Sequence, residues 1–468
     1  MTAPATSDIR RSVPTRRNSE LALLLLAVVL VTGAQAIVDA NIKNGKVGID
    51  VAYYGVGFAA LWLVAHVVVR KVAPYADPIL LPIAALLNGL GLVLIYRVRL
   101  ATKSRKYPSA DPKQQVVWMV VGLAFFIAVL LIIRNHRILS RYAYTFAAVG
   151  LVLVILPAVL PARLSEVNGA RVWIRLGGFS IQPGEFAKLA LLIFFASYLV
   201  DKRDVLSLAS RRFLGLALPR GRDLGPVLVA WLLSVAVLTR ESDLGQSLLF
   251  FGMFVALLYI ATERTSWLVI GLLLFAGGAF AAYHLFSHVQ DRFSIWLHPQ
   301  EYYNTVYPNS YQLMQGLFGM GTGGLFGTGL GKGYPQLVPY AESDFIVSTL
   351  AEELGLFGLV AILVLYGLFV MRGFRISMSA RDPFGKLLAA GLSVSMGLQV
   401  FVIVGGVTKL IPLTGLTTPF LSYGGSSLVA NFGLMALLLR VSDSSRRPAV
   451  PNQPRPPLSS AMTEVVSR

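Results

Sequence analysis

The sequence Pro339-Tyr340-Ala341-Glu342-Ser343-Asp344-Phe345 closes a polar segment at 287–345 and runs straight into an apolar run at 346–371. Two carboxylates, Glu342 and Asp344, therefore stand at the threshold of a stretch long enough to cross a bilayer, which takes roughly 20 apolar residues. The first part of the polar segment is aromatic and acidic, with Asp291, Trp296, Glu301, Tyr302, Tyr303 and Tyr307, and the second, 316–333, is dense in glycine. Its aromatic residues and prolines predict a loop that folds down onto its surroundings, and long ordered loops usually carry function. Its glycines predict backbone that a ligand can approach closely. A phosphate-binding P-loop is excluded, because Lys332 is followed by Gly333 instead of Ser or Thr and no glycine stands five residues before Gly331.

On either side of this segment the chain is lipid-soluble. Of its 468 residues 55% are hydrophobic and 14% charged, with a mean hydropathy of +0.67, which excludes an ordinary water-soluble domain. The fold expected is an all-α polytopic membrane protein with about twelve transmembrane helices. The runs lie at 21–38, 51–69, 79–96, 115–133, 142–160, 185–200, 226–239, 244–261, 266–286, 346–371, 387–407 and 419–439. The net charge of +18 sits in short loops between these runs, where anionic lipid headgroups account for it better than nucleic acid does. With no cysteine, thiol nucleophiles, disulfides and zinc–thiolate sites are excluded.

An even number of spans puts both termini on one side, and the bias of Lys and Arg makes that side cytoplasmic. The tails 1–20 and 441–468 are then cytoplasmic, the second Pro/Ser/Arg-rich and expected to be disordered. The loop 287–345 becomes extracellular or periplasmic. One outer loop, 97–113, breaks the rule with Arg97, Arg99, Lys103, Arg105, Lys106 and Lys113. Ala34-Gln35-Ala36 has the look of a signal-peptidase site, but the run before it is long enough to span and similar runs follow, so a retained helix is expected.

Ionisable groups at membrane depth are functional candidates. Gln182-Pro183-Gly184-Glu185-Phe186-Ala187-Lys188 opens a helix with proline in its first turn and Glu185 and Lys188 on one face. The pair reads either as an internal ion pair or as an ammonium at the mouth of a cavity. Upstream, Arg171, Trp173 and Arg175 form either an aromatic belt with snorkelling arginines or, with Lys188, a cationic patch suited to pyrophosphate. Asp243 lies in a charged turn, Arg240-Glu241-Ser242-Asp243, that can equally serve to satisfy helix ends. The Ser422-Tyr423-Gly424-Gly425-Ser426 break precedes the last helix and suits close packing, and Lys409 adds an outer cation.

In this order the motifs resemble the SEDS family (shape, elongation, division and sporulation) of RodA and FtsW, and RodA most closely. The matching parts are Gly169-Ala170-Arg171 with Trp173, Gln182-Pro183 with Glu185 and Lys188, Asp243-Leu244-Gly245, Tyr311-Gln312 with Gln315 and the glycine run. Ser343-Asp344-Phe345 with Ala351-Glu352-Glu353-Leu354-Gly355, and 422–426, complete the set. The resemblance spans about 113–440. Three positions depart from the family pattern: Gly184 replaces a serine, Tyr340 an acidic residue with Glu342 nearby, and Lys113-Gln114-Gln115 an Arg-Gln pair.

The resemblance implies a peptidoglycan glycosyltransferase that polymerises lipid II at the outer face of the cytoplasmic membrane during elongation, beside a class B penicillin-binding protein. It implies a ten-helix core at 79–440, so that 21–78 becomes an added N-terminal helix pair. The family's essential loop aspartate falls on Asp344, expected to act as base. Arg171, Lys188, Glu185, Trp173, Gln312, Lys332, Glu342, Asp243 and Ser422 are the expected substrate contacts. A divalent cation, Mg or Mn, has Asp344 and Glu342 as candidate ligands. The competing readings are a division-specific transferase of the FtsW type and a lipid II flippase. A transporter is expected to carry inverted repeats, and no such internal similarity is visible.

Overall fold

The computed structural model describes residues 15–101, 110–167, 170–176, 179–207, 211–213, 216–218, 225–241 and 243–448. Lipid offers no water to backbone N–H and C=O groups, so each apolar run satisfies them internally as a helix. The N-terminal third gives α1 (Arg17–Ile42), α2 (Asp50–Val72), α3 (Leu80–Ala101), α4 (Pro112–Ile132), the turn α5 (Ile138–Arg141) and α6 (Ala143–Val159). The turn α7 (Ala162–Ser165) and two hairpins follow, β1 (Glu166–Val167) with β2 (Ala170–Arg171) and β3 (Ile174–Leu176) with β4 (Phe179–Ile181). Next come α8 (Pro183–Ser207), a hairpin of β5 (Arg211–Phe213) and β6 (Leu216–Leu218), α9 (Gly225–Glu241), α10 (Leu244–Thr262) and α11 (Thr265–Leu285). The polar segment forms α12 (Ser287–Leu297) and α13 (Tyr311–Gly323), and α14 (Ile346–Ser379), α15 (Pro383–Val407) and α16 (Gly425–Arg446) end the described chain.

Every expected apolar run carries a helix, and the class is all-α and polytopic. Among the described residues ten helices are long and apolar enough to cross a membrane. The other two runs, α6 and α9, have 17 residues each, the short end of what spans a bilayer, roughly 17–25. The last helix begins at Gly425 instead of 419, because Pro419 to Gly424 form turns. The first begins at Arg17 instead of 21, because Arg17 and Glu20 are buried as a pair at 2.5 Å and Glu20 reaches His66 Nδ1 at 2.7 Å. The helix runs unbroken through Ala34-Gln35-Ala36.

At the extremes, hydropathy and burial are opposed, as a lipid solvent favours. The least apolar spans, α16 and α8, lie inside, and the most apolar, α4, shows much of its surface to lipid. In α16 every residue from 426 to 443 is buried, including Ser426, Asn431, Arg440 and Asp443, which would be costly on a lipid-facing helix. The added pair packs on this centre, α1 along α3 and α2 against α1 and α4, with the Trp62 ring 5.7 Å from Phe432 of α16.

The basic loop 97–113 is smaller than the sequence suggests. α3 continues to Ala101, so Arg97 and Arg99 are helical, and Arg97 is a buried partner of Glu353 at 2.8 Å that also donates to the Gly333 carbonyl at 2.6 Å. Lys103, Arg105 and Lys106 lie outside the described residues, as does Gly169. Across the gap the Ala110 N–H donates to Glu342 Oε1 at 2.8 Å, which ties this loop to the side that carries 287–345.

Candidate active site

Helix α14 breaks at Gly355, whose φ of +70° and ψ of −172° are open to glycine and strained for other residues. A break inside a span frees backbone groups that lipid cannot satisfy. Here the glycine run satisfies them: the N–H groups of Thr328 and Gly329 donate to the carbonyls of Glu352 and Glu353 at 2.9 and 3.0 Å. In return the N–H groups of Leu356 and Phe357 donate to Gly324 and Leu325 at 2.9 and 3.1 Å. The two carboxylates hold the rest of the loop, Glu352 accepting from the Tyr334 N–H at 2.7 Å and Glu353 from the Gly331 N–H at 2.9 Å. Gly316, Gly319, Gly323, Gly327 and Gly333 thus pack against α14 or the Phe345 that precedes it. A Cβ on Gly327 would lie 2.2 Å from the Glu353 carbonyl oxygen and one on Gly316 2.7 Å from the Phe345 ring. To the expected close approach of a ligand the structure adds a packing role for these glycines.

This seat presents the turn 339–345. Gln312 Nε2 donates to the Pro339 carbonyl at 2.9 Å and the Tyr423 N–H to the Glu342 carbonyl at 2.8 Å, so the turn is held from α13 and from the approach to α16. Asp344 is half-buried by surface yet densely surrounded by protein. Burial pushes its carboxyl up to about 6, against its own and Phe345's backbone N–H groups and the charge of Arg292, while Glu342 adds to the rise. Arg292 is fixed on α12 by donating to the Leu413 carbonyl at 2.6 Å, and Trp296 of the same helix donates to the Lys409 carbonyl at 3.0 Å.

The charge of Arg292 also reaches Asp243, and four helix N-termini meet in this part of the bundle. Asp243 caps α10 by accepting from the Gln246 N–H at 2.9 Å; burial pushes its carboxyl up, opposed by that N–H and by the Arg292 charge. Gln246 lies against Gly184 at the start of α8, where a Cβ would come within 2.2 Å of its Oε1. Gly184 thus leaves room for the amide of this glutamine where it lies. One turn on, the buried Lys188 donates to Glu185 at 2.8 Å and to Gln399 of α15 at 2.8 Å, and Gln399 in turn donates to the Thr417 carbonyl. The Gln182 N–H donates to Ser426 Oγ of α16 at 2.8 Å, which leads back through Tyr423 to Glu342 and α14. The N-termini of α8, α10, α14 and α16 are thereby linked at one end of the bundle, and each is the positive end of a helix dipole.

Of the sequence-predicted residues, this ring brings together Asp344, Glu342, Asp243, Glu185 and Lys188, with Gln312 behind the turn. Ser422 closes a turn by accepting from the Thr418 N–H at 2.9 Å. Arg171 is exposed on the β1–β2 hairpin and pairs with Glu166 at 3.2 Å, Trp173 follows on the same segment, and Lys332 is exposed on the glycine run. Among the described residues no group of three His, Cys, Asp or Glu side chains could hold a metal ion. Sequence reading missed Arg292 and Gln399, and had Gln246 only as the end of the charged turn 240–246. A lone glutamine inside the apolar run 387–407 was a signal for Gln399.

A family model described as "Cell cycle protein", covering FtsW, RodA and SpoVE, matches residues 78–447. The chain belongs to this family. Among curated relatives, "Peptidoglycan glycosyltransferase RodA" of Mycobacterium tuberculosis (strain ATCC 25618 / H37Rv) is 51% identical over 461 residues, 97% of both chains. Its Mycobacterium leprae (strain TN) counterpart is 48% identical over the same coverage. "Stage V sporulation protein E" of Bacillus subtilis (strain 168) is 33% identical over 81% of this chain and 99% of its own. The crystal structure of the Thermus thermophilus rod shape determining protein RodA superposes with a TM-score of 0.54 at 26% identity, covering 80% of this chain and 98% of that one. A peptidoglycan synthase complex described as coordinating polymerization and crosslinking contains a chain with the same TM-score and identity, covering 84% of this chain and 97% of that one. The FtsW/RodA/SpoVE match begins at residue 78, which leaves α1 and α2 outside it, whereas the mycobacterial RodA proteins align over nearly the whole length.

Proposed function

We propose that this peptidoglycan glycosyltransferase polymerises lipid II at the outer face of the cytoplasmic membrane, with Asp344 as the base, in cell elongation. The acceptor GlcNAc 4-hydroxyl attacks C1 of the donor MurNAc while Asp344 takes its proton. The C1–O bond to undecaprenyl pyrophosphate breaks with inversion, and the electron pair leaves on the pyrophosphate. The observation that carries this reading is the placement of the Asp344 carboxylate at the junction of four helix N-termini, within the field of the anchored Arg292 guanidinium, where burial pushes it up to about 6. A base works best when its pKa lies near the operating pH. The leaving group needs charge neutralisation instead of an acid, and Arg292, Lys188 and the helix dipoles provide it at the ring, with Arg171 brought in from the exposed β1–β2 hairpin by exchanging Glu166 for a phosphate oxygen. Lys188 reaches it by exchanging Gln399 for a phosphate oxygen, since both are acceptors.

The relative whose complex couples polymerization to crosslinking supports a transpeptidase partner, a class B penicillin-binding protein. A divalent cation would be held by Asp344 and the substrate's own phosphates, since Glu342 is engaged with Ala110, and would supply further neutralisation of the leaving group. The test is purified chain with lipid II in detergent. Glycan polymer is expected; lipid II left unconsumed by folded protein with its partner would leave the flippase reading.

A further inference from the structure

At the opposite end of the bundle, away from the ring, the start of α1 meets the far ends of α14 and α16 around a cavity of about 410 Å³, within the usual range for ligand pockets of roughly 300–1,000 Å³. Arg16, Arg372 and Arg446 line it, with Tyr75 and the apolar Ala76, Pro78 and Ile79. The nearby carboxylate of Asp77 is fully buried and already engaged. Its Oδ1 accepts from the Ile79 N–H at 3.0 Å, and its Oδ2 accepts from Arg446 at 2.7 Å and faces Arg372 at 3.6 Å. Asp77 thus pairs with two of the three guanidiniums, and the second carboxylate nearby, Asp443, which accepts from the Tyr75 N–H at 2.9 Å, is taken up by Arg440 and Arg447, so one carboxylate faces three guanidiniums. Arg17, next in the chain, is committed to Glu20 and the Ala76 carbonyl. The Nε of Arg372 is buried with no acceptor among the described residues. A buried N–H without a partner is expensive, on the order of 1–3 kcal/mol.

We propose that this cavity binds a phosphate group, held by Arg16, Arg372 and Arg446, with the Arg372 Nε–H completing its bonding on a phosphate oxygen. Guanidinium forks match phosphate oxygens in geometry as well as charge. The apolar floor at the end of the spans fits an anionic phospholipid headgroup, and free phosphate offers the same oxygens. Arg372 and Arg446 lie inside the stretch matched by the family model, and Arg16 stands just before the added helix α1, outside it. A bound phosphate therefore ties the added pair to the core, and only chains with both have the complete site.

The full chain is purified in detergent and exposed to phosphatidylglycerol, phosphatidylethanolamine or inorganic phosphate, with retention read by native mass spectrometry and melting by thermal shift. Wild type should retain phosphatidylglycerol in preference to phosphatidylethanolamine. Arg372→Gln and Arg16→Gln should each lower retention about tenfold, the loss of a charge-assisted hydrogen bond. Arg16→Gln, at an exposed position, should melt like wild type without lipid and so controls for folding. Stabilisation of wild type, but not of the variants, by inorganic phosphate alone would assign the site to a soluble phosphate. Variants that hold phosphatidylglycerol as wild type does, with no phosphate shift that they lose, would overturn the proposal.

Discussion

Arg292 opposes the rise that burial imposes on Asp344, and it does so from a fixed position, its guanidinium anchored on the Leu413 carbonyl at 2.6 Å. The same charge draws down Asp243 across the ring. Replacing Arg292 by Gln keeps the anchor's donor chemistry and removes the charge. The pKa of Asp344 must then climb above about 6, because its opposing charge is gone while its burial remains. The acidic limb of the pH–rate profile for polymerisation should move to higher pH, with the largest loss near neutrality and partial recovery in alkaline buffer. An unmoved limb would mean that Asp344 is not the group whose ionisation the rate reports.

Lys188 and Glu185 form a buried pair, and removing one partner leaves the other charge uncompensated, at a cost of roughly 3–5 kcal/mol. Lys188→Met should therefore melt well below wild type. Lys188→Met with Glu185→Gln should regain most of that stability, since no lone charge remains. If Lys188 serves the pyrophosphate, the double variant stays inactive despite its recovered fold; if it regains polymerisation as well, the pair is scaffold alone.

Gly355→Ala tests the seat of the loop. A Cβ there would lie 2.3 Å from the Gly327 nitrogen and 2.5 Å from the Leu325 carbonyl oxygen, both backbone atoms that cannot swing aside, in a region of backbone space almost reserved for glycine that costs another residue roughly 1–3 kcal/mol. Limited proteolysis should cut the variant faster within 324–334, and polymerisation should fall with it. A wild-type cleavage pattern would show that the four backbone bonds across the break do not hold the loop.

The helices were legible because a lipid solvent leaves a continuous apolar signature, and Asp344 and Glu342 were legible because carboxylates next to such a run are out of place. The partners were not. Arg292 looked like one more loop cation, and only the fold of α12 onto 409–413 turns it toward Asp344. Arg97 looked like a breach of charge bias, yet its counter-ion Glu353 lies 256 residues away. The glycine run suggested openness, because a sequence does not say that a helix break elsewhere needs that backbone. Lys188 was read with both meanings, and the structure adds Gln399 without choosing between them.

Topology can be tested cleanly, since the chain has no cysteine. Val306 is 98% exposed in the long loop. Val306→Cys should react with a membrane-impermeant thiol reagent in intact cells, and Arg447→Cys only after permeabilisation. Ser109→Cys should behave like Val306→Cys, because Ala110 is bonded to Glu342 on the loop side, although Ser109 itself lies outside the described residues. The reverse pattern would invert the whole assignment.

Asp344→Asn separates chemistry from architecture. It preserves shape and removes the proton acceptor, so polymerisation should fall on the order of 10²- to 10⁴-fold while lipid II binding and partner association persist. Stability should move the other way. Burial holds the folded carboxyl up at about 6, above the ordinary aspartate value of 3.8 that the unfolded chain has, so as pH rises through that window the wild type loses stability that asparagine, neutral throughout, keeps. At about 1.4 kcal/mol per pKa unit, discounted for the exposed edge of the group, the variant should gain on the order of 1–2 kcal/mol at pH 8 and nothing near pH 4. Glu342→Gln should cost less activity, because a glutamine carbonyl still accepts the Ala110 N–H that Glu342 holds. An Asp344→Asn protein that is more stable at pH 8 and inactive is what a base held against its own solvation should give. One that polymerises at the wild-type rate removes Asp344 from the mechanism and leaves Asp243, on the other side of Arg292, as the carboxylate to test.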